Sequence, residues 1–406
     1  MNLLVWILLA ILAGVGCGYI FPVWAGRVFM TFNAIFGQFL GFLIPLIIVG
    51  FVVPAISEVG RKAGKILLLT AAIAYIFTSL SGFYSFFFGS WVFPDIVGTR
   101  PASAGSMGTH DLLPYFTVEM PPLMSVMTAL VLSFLLGLCM AYLKTDTLRG
   151  FAMEFRDCVT LTINRVIIPL LPIYIFGIFL NMTVAGEVGR VLRSFAAVIG
   201  IIFGMSLVLL LFQFCIAGLF SRHNPLKLLW RMLPAYFTAL GTQSSAATIP
   251  VTLRQTVSLG VSKDIAGFVV PLCATIHMSG SALKIVACAL TIMIMEGLPY
   301  DPGMFSGFIL MLGISIVAAP GVPGGAIMAS LGLLASMLGF GQTEQALMIA
   351  LYITMDSFGT ACNVTGDGSI AIIVDHFFAN SKTKCEGCEL KCPSSLLLEE
   401  IGRAHV

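Results

Sequence analysis

Charge is what this chain has least of. Of its 406 residues only 10% are charged, whereas 58% are hydrophobic, and the mean hydropathy is +1.02. A soluble chain carries about a quarter of its residues as Asp, Glu, Lys or Arg, so a water-soluble enzyme or binding module is excluded. Alternation of apolar and polar residues is missing too, which argues against a β-barrel. No basic patch offers a surface to nucleic acid, and a net charge of +2 says nothing about partners. The apolar N-terminus, MNLLVWILLAILAGVGCGYIF, has no basic flank, so it reads as a first membrane helix and not as a cleaved signal peptide. No nucleophile–base pair and no His/Glu metal cluster falls in the apolar runs, which weighs against a membrane enzyme.

What is present is a series of runs long enough to cross a bilayer. They fall near residues 3–23, 34–57, 66–92, 117–143, 162–186 and 194–220, separated by polar stretches such as 144–156. The fold class expected is an all-α polytopic membrane protein. Arg61, Lys62, Lys65, Lys144, Arg149, Arg156, Arg222, Lys227 and Arg231 lie on one side of these spans, and Arg27, Arg100, Arg190 and Arg193 on the other. The richer side should be cytoplasmic, which places both termini inside a cell membrane. Seven of the ten cysteines are scattered through apolar stretches, where Cys packs as a small hydrophobe. Cys385, Cys388 and Cys392 have spacing suited to a metal but lack an evident fourth ligand.

After residue 225 the pattern changes. GTQSSAATIP (241–250) and APGVPGGAIMASLG (319–332) interrupt apolar segments with small residues and proline. Irregular backbone at membrane depth survives only where it is buried in protein or lines a cavity. Each segment therefore reads as two half-helices meeting at a tip, a re-entrant hairpin, with spanning stretches at 264–293 and 342–378. Interrupted segments in matching positions mark an inverted-repeat transporter whose site lies at the hairpin tips.

The last of these stretches holds MDSFGTACNVTGDGS. Asp356, Thr360, Asn363 and Asp367 follow at steps of four, three and four, so a helix turns all of them the same way. Carboxylates in lipid neutralise, pair or hold a cation. These two suit a substrate ammonium and a hard ion such as Na⁺, and a buried pairing with Lys284 or another base also accounts for them. In CATIHMSGSALK (273–284), Lys284 lies two turns beyond His277 on one face. A lysine deep in a membrane helix is a functional candidate, and His277 is a candidate coupling residue or a satisfied core residue.

GTQSSAATIP, PLCATIHMSGSALK, PGVPGGA and MDSFGTACNVTGD, in that order, resemble the dicarboxylate/amino acid:cation symporter family, the glutamate-transporter fold. The resemblance implies eight transmembrane helices plus two re-entrant helical hairpins, and a homotrimer working as an elevator. Within residues 1–220, helices one, two, four and five would form a scaffold, with helices three and six joining the transport domain. Residues 225–378 would be the transport core, and 379–406 a cytoplasmic tail whose EEIGRAHV end reads as adapter-derived. Carried over by motif, the substrate site comprises Gln243, Ser244 and Ser245, Ser281, Val322 and Gly324, and Asp356, Gly359, Thr360 and Asn363. Asp356 would take the substrate ammonium, while Asn363 and the Ser245 backbone would take its α-carboxylate. Na⁺ would be held by Asp367 with backbone oxygens of Cys273, His277 and Asn363, and a second Na⁺ would sit near Thr275 and Met278. No other cofactor is implied.

The departures carry the specificity. Acidic-substrate members place an Arg at positions matched here by Gly359 or Gln243, neither charged, so a neutral L-amino acid is the expected substrate. The family's Asn-Met-Asp-Gly-Thr motif is His277-Met278-Ser279-Gly280-Ser281 here, and an ungapped match puts the third helix's Thr-Ser pair at Ile73 and Ala74. An inner Na⁺ site is therefore expected to be lost, with Lys284, or a proton on Lys284 or His277, substituting for one Na⁺. The competing readings are a dicarboxylate or acidic amino-acid symporter and, in another class, a gated ion channel.

Overall fold

A computed structural model describes residues 3–61, 64–97, 112–143, 146–186, 188–317 and 324–382. Among them the regular structure is helical throughout. The first half holds α1 (Leu3–Ile20), α2 (Val23–Arg61), α3 (Lys65–Ile96), α4 (Val126–Leu143), α5 (Asp146–Thr162), α6 (Ile168–Val184) and α7 (Val188–Ser221). By length and composition, five helical stretches among the described residues can cross a membrane, or six if one bent pair counts as a span. Shorter apolar helices accompany them.

Two segments differ from the sequence reading. The apolar run from 117 begins as irregular chain and becomes helix only at Val126, because Pro121 and Pro122 remove donors and bias the preceding residues away from helix. Within the polar stretch that separates two of the runs, residues 146–156 are helix. Asp146, Arg149, Glu154 and Arg156 lie on α5, which continues through a π-helical turn (Ile163–Ile167) into α6.

The second half contains both expected hairpins. Asn224 caps α8 (Pro225–Thr242), its side chain accepting from Leu226 N–H. Gln243, at φ 55°, then reverses the chain into α9 (Ser245–Ser258), capped by Ser244. The second hairpin is α12 (Pro302–Val317) and α13 (Gly325–Leu338). Its tip, with Val322, lies outside the described residues, as do Cys385, Cys388, Cys392 and the adapter-like end. Between the hairpins runs a broken helix, α10 (Lys263–Ile276) and α11 (Ser279–Glu296), interrupted at His277–Met278. The stretch 342–378, expected as one span, is α14 (Gln342–Thr354) and α15 (Asp356–Lys382), bent by 61° at Met355. Neither Pro nor Gly causes that bend. Thr354 Oγ1 turns back onto Ala350 O at 2.7 Å, a bond that loosens a helix, and Asp356 favours a helix start, where the dipole is positive.

Two groups of helices emerge from the packing. α1 lies along α6, and α2 lies along α4, α5 and α6. The α1–α6 contact is close because Gly14 and Gly18 bring backbones together: a Cβ at Gly14 would stand 2.6 Å from Phe176 O. In the other group, α15 packs on α7, α8, α10 and α11, and α3 packs on α11 and α12. Every residue of α11 from Ser279 to Met295 is buried, the mark of a helix surrounded by protein on all sides. α13 and α14 meet the first group at α2, α1 and α6.

Candidate functional site

The breaks in the helices converge. Gln243, Ser245, Met278, Ser281, Asp356, Thr360 and Asn363 line one cavity of about 40 Å³. Ser245 opens α9 and Asp356 opens α15, so the positive ends of two helix dipoles meet at this space. Asp356, Thr360, Asn363 and Asp367 are all buried along one helix, as their spacing required.

Asp356 uses both oxygens. Its Oδ1 accepts from Lys284 Nζ at 3.2 Å, and its Oδ2 accepts from the Gly324 N–H at 2.9 Å. Lys284 is fully buried. Its ammonium also donates to Met355 O at 3.3 Å, at the negative end of the α14 dipole, and stands 3.9 Å from the centre of the Tyr352 ring. Of the alternatives open in the sequence, the structure therefore contains the buried Lys284 pairing. Gly359 leaves the room for it. A Cβ at Gly359 would collide with Lys284 Cε and Nζ and lie 3.0 Å from Cδ.

Gln243 spans from the first hairpin to α15, donating to Ser357 Oγ at 2.8 Å. Asn363 serves the broken helix: its Oδ1 accepts from Gly280 N at 2.8 Å and Ser281 N at 3.4 Å, capping α11. Its Nδ2 donates to Ser281 Oγ at 3.0 Å. Ser244 spends its hydroxyl on the cap of α9, accepting from Ala247 N.

One turn deeper, Asp367 Oδ1 meets His277 Nδ1 at 2.9 Å, and that nitrogen also lies 3.2 Å from Asn363 O. His277 thus brings its ring to the carboxylate. Cys273 lies beneath it, its carbonyl accepting from His277 N at 2.9 Å. Thr275 is exposed and its hydroxyl returns to Leu272 O at 2.8 Å. Among the described residues, no group of three or more His, Cys, Asp or Glu side chains could hold a metal ion. A hard cation here would therefore depend on backbone carbonyls beside Asp367.

At the break itself α3 brings neither Ile73 nor Ala74 but two hydroxyls further along: Thr78 Oγ1 accepts from Met278 N at 3.3 Å, and Ser81 Oγ donates to Ser279 O at 2.8 Å. Ser279 remains as the departure, and its Oγ accepts from Gln213 Nε2 at 3.0 Å.

Three residues here escaped the sequence reading. Tyr352, whose hydroxyl reaches Ser281 Oγ at 3.3 Å, looked like another apolar aromatic. Thr78 is one of several hydroxyl residues along α3 and carried no mark of its own. Gln213, 3.4 Å from His277 Nε2, did carry a signal, being a lone amide inside the apolar run 194–220.

Comparison with known proteins bears on this geometry. The model of one family, described as the Sodium:dicarboxylate symporter family, matches residues 3–377. The serine/threonine transporter SstT of Acinetobacter baumannii is 27% identical over 394 residues, covering 92% of this chain and 96% of that protein. Excitatory amino acid transporter 2 of Homo sapiens is 34% identical over 180 residues, covering 44% of this chain and 30% of that protein.

Proposed function

Because the chain belongs to the Sodium:dicarboxylate symporter family, we propose that it imports a neutral L-amino acid together with Na⁺. It is a multi-pass membrane transporter and not an enzyme, and Na⁺-coupled amino-acid symport is the activity its family and relatives support. The neutral substrate is the finer step. One observation carries it: Lys284 and Asp356 stand together beside the cavity as a pair of zero net charge. Gly359 has no side chain, and Gln243 is an uncharged donor held by Ser357. A zwitterion with an uncharged side chain adds no net charge to this balanced set. A glutamate or aspartate would bring one uncompensated carboxylate, costing several kcal/mol, of order 3–5, in a buried site. L-serine and L-threonine are the first candidates, since the relative of comparable length is named for them.

The substrate ammonium docks on Asp356 and its α-carboxylate on the N-terminal end of α9 and Asn363. Na⁺ is taken near Asp367. Ser279 and the His277 ring beside Asp367 favour fewer coupled Na⁺ ions, with a proton as the alternative coupling ion. The two packing groups support a scaffold of α1, α2 and α4–α6, against which α3, α7 to α13, α14 and α15 move as a unit, in a homotrimer.

The test is uptake into proteoliposomes of labelled L-amino acids and succinate, under an inward Na⁺ gradient or a pH gradient alone. Saturable, Na⁺-dependent uptake of L-serine, L-threonine or another neutral amino acid is expected. Uptake of glutamate, aspartate or succinate in preference would favour the acidic reading and overturn this one. Flux with neither saturation nor stereoselectivity would favour a channel.

A further inference from the structure

We propose that Lys284 is a tethered cation that replaces the substrate ammonium on Asp356 whenever the carrier holds no amino acid, allowing the unloaded transport unit to return across the membrane. The proposal rests on the reading of Asp356 as the ammonium ligand.

Three features of the geometry carry it. First, one carboxylate links the lysine to the hairpin: Oδ1 holds Lys284 Nζ at 3.2 Å while Oδ2 holds the Gly324 N–H at 2.9 Å. A unit that crossed the membrane with a bare buried carboxylate would carry an uncompensated charge. With Lys284 in place the pair is neutral.

Second, the described residues leave little space for a substrate in addition to the lysine. The cavity of about 40 Å³ has room for about three waters. Lysine and substrate ammonium therefore alternate on Oδ1 instead of sharing it.

Third, Lys284 has somewhere to go when displaced. The Met355 carbonyl at 3.3 Å, the C-terminal end of α14 and the face of Tyr352 at 3.9 Å already hold its ammonium, and none of them depends on Asp356. A shift of the tip of a flexible side chain exchanges one cation for the other without expelling a charge from the protein. Other titratable side chains facing Lys284 are Tyr352, Cys288 and Cys362, none of them a second carboxylate.

The experiment separates loaded from unloaded movement. Full-length protein and Lys284→Met are reconstituted in proteoliposomes with a Na⁺ gradient and radiolabelled L-serine. Exchange is measured with unlabelled L-serine inside, and net uptake with none inside. Exchange requires only the loaded carrier to cross, whereas net uptake also requires the unloaded one to return. The expected result is a split: net uptake falls at least about tenfold further than exchange. Lys284→Arg, which keeps the charge, should preserve the wild-type ratio of the two rates, and Lys284→Gln should repeat the split if the Met variant does not fold. Equal loss of both rates in the neutral variants, or no loss in either, overturns the proposal. If the wild-type protein exchanges no neutral amino acid at all, the underlying reading of the substrate fails instead.

Discussion

Gly359 and Lys284 share one volume. The glycine lies on α15 and the lysine on α11, and a single methyl group at position 359 would overlap the end of the lysine chain. The sequence departure at 359 and the unusual lysine at 284 are therefore one structural fact.

Gly359→Ala should destabilise the protein by about 1–3 kcal/mol through overpacking. The same change in a Lys284→Ala background should cost less than about 1 kcal/mol, because the competing atoms are gone. Thermal unfolding of the four purified proteins in detergent measures this. Equal shifts in both backgrounds would show that the two residues do not compete for space.

Asp356→Asn leaves Lys284 buried without its carboxylate, a loss of about 3–5 kcal/mol. Removing the lysine as well, in Lys284→Met/Asp356→Asn, should raise the melting temperature above that of the single Asn variant. A double variant that melts lower than Asp356→Asn alone would mean that the pair is not coupled.

Much of this was legible in the residues. The helical steps from Asp356 to Asp367 placed four polar groups on one buried face, and proline and glycine located the second hairpin. What could not be read was pairing across the fold. Lys284 and Asp356 are 72 positions apart, and nothing local tells a lysine which carboxylate it will meet. The bend at Met355 left no trace because neither Pro nor Gly makes it. α5 read only as a polar stretch between spans because its charges were counted without asking whether they shared a face. The α3 hydroxyls at the break were hard to single out for a related reason: an apolar helix with hydroxyls at several turns offers several candidate faces.

Ser279 lies fully buried between Gln213 and Ser81. Ser279→Asp places a carboxylate there with Thr78 nearby, and a buried carboxylate needs a cation. The variant's melting temperature should rise more steeply with NaCl than the wild type's, compared against choline chloride at equal ionic strength, following ligand linkage. Parallel salt curves would argue against a cation site at this break.

Gln243 projects from the first hairpin onto α15. Gln243→Arg adds an unpaired guanidinium to the cavity wall, suited to bidentate carboxylate contact. The ratio of L-glutamate to L-serine uptake should rise at least about tenfold. An unchanged ratio would place the side-chain pocket elsewhere.

The small cavity also sets a clock. With about 40 Å³ between the helix ends, no amino acid enters until the Gly324–Asp356 bond opens. Association is then gated: at high substrate the observed binding rate levels off at the opening rate instead of climbing with concentration. The apparent dissociation constant equals the intrinsic one divided by the open fraction, so any substitution that loosens that single hydrogen bond tightens measured binding without touching the substrate.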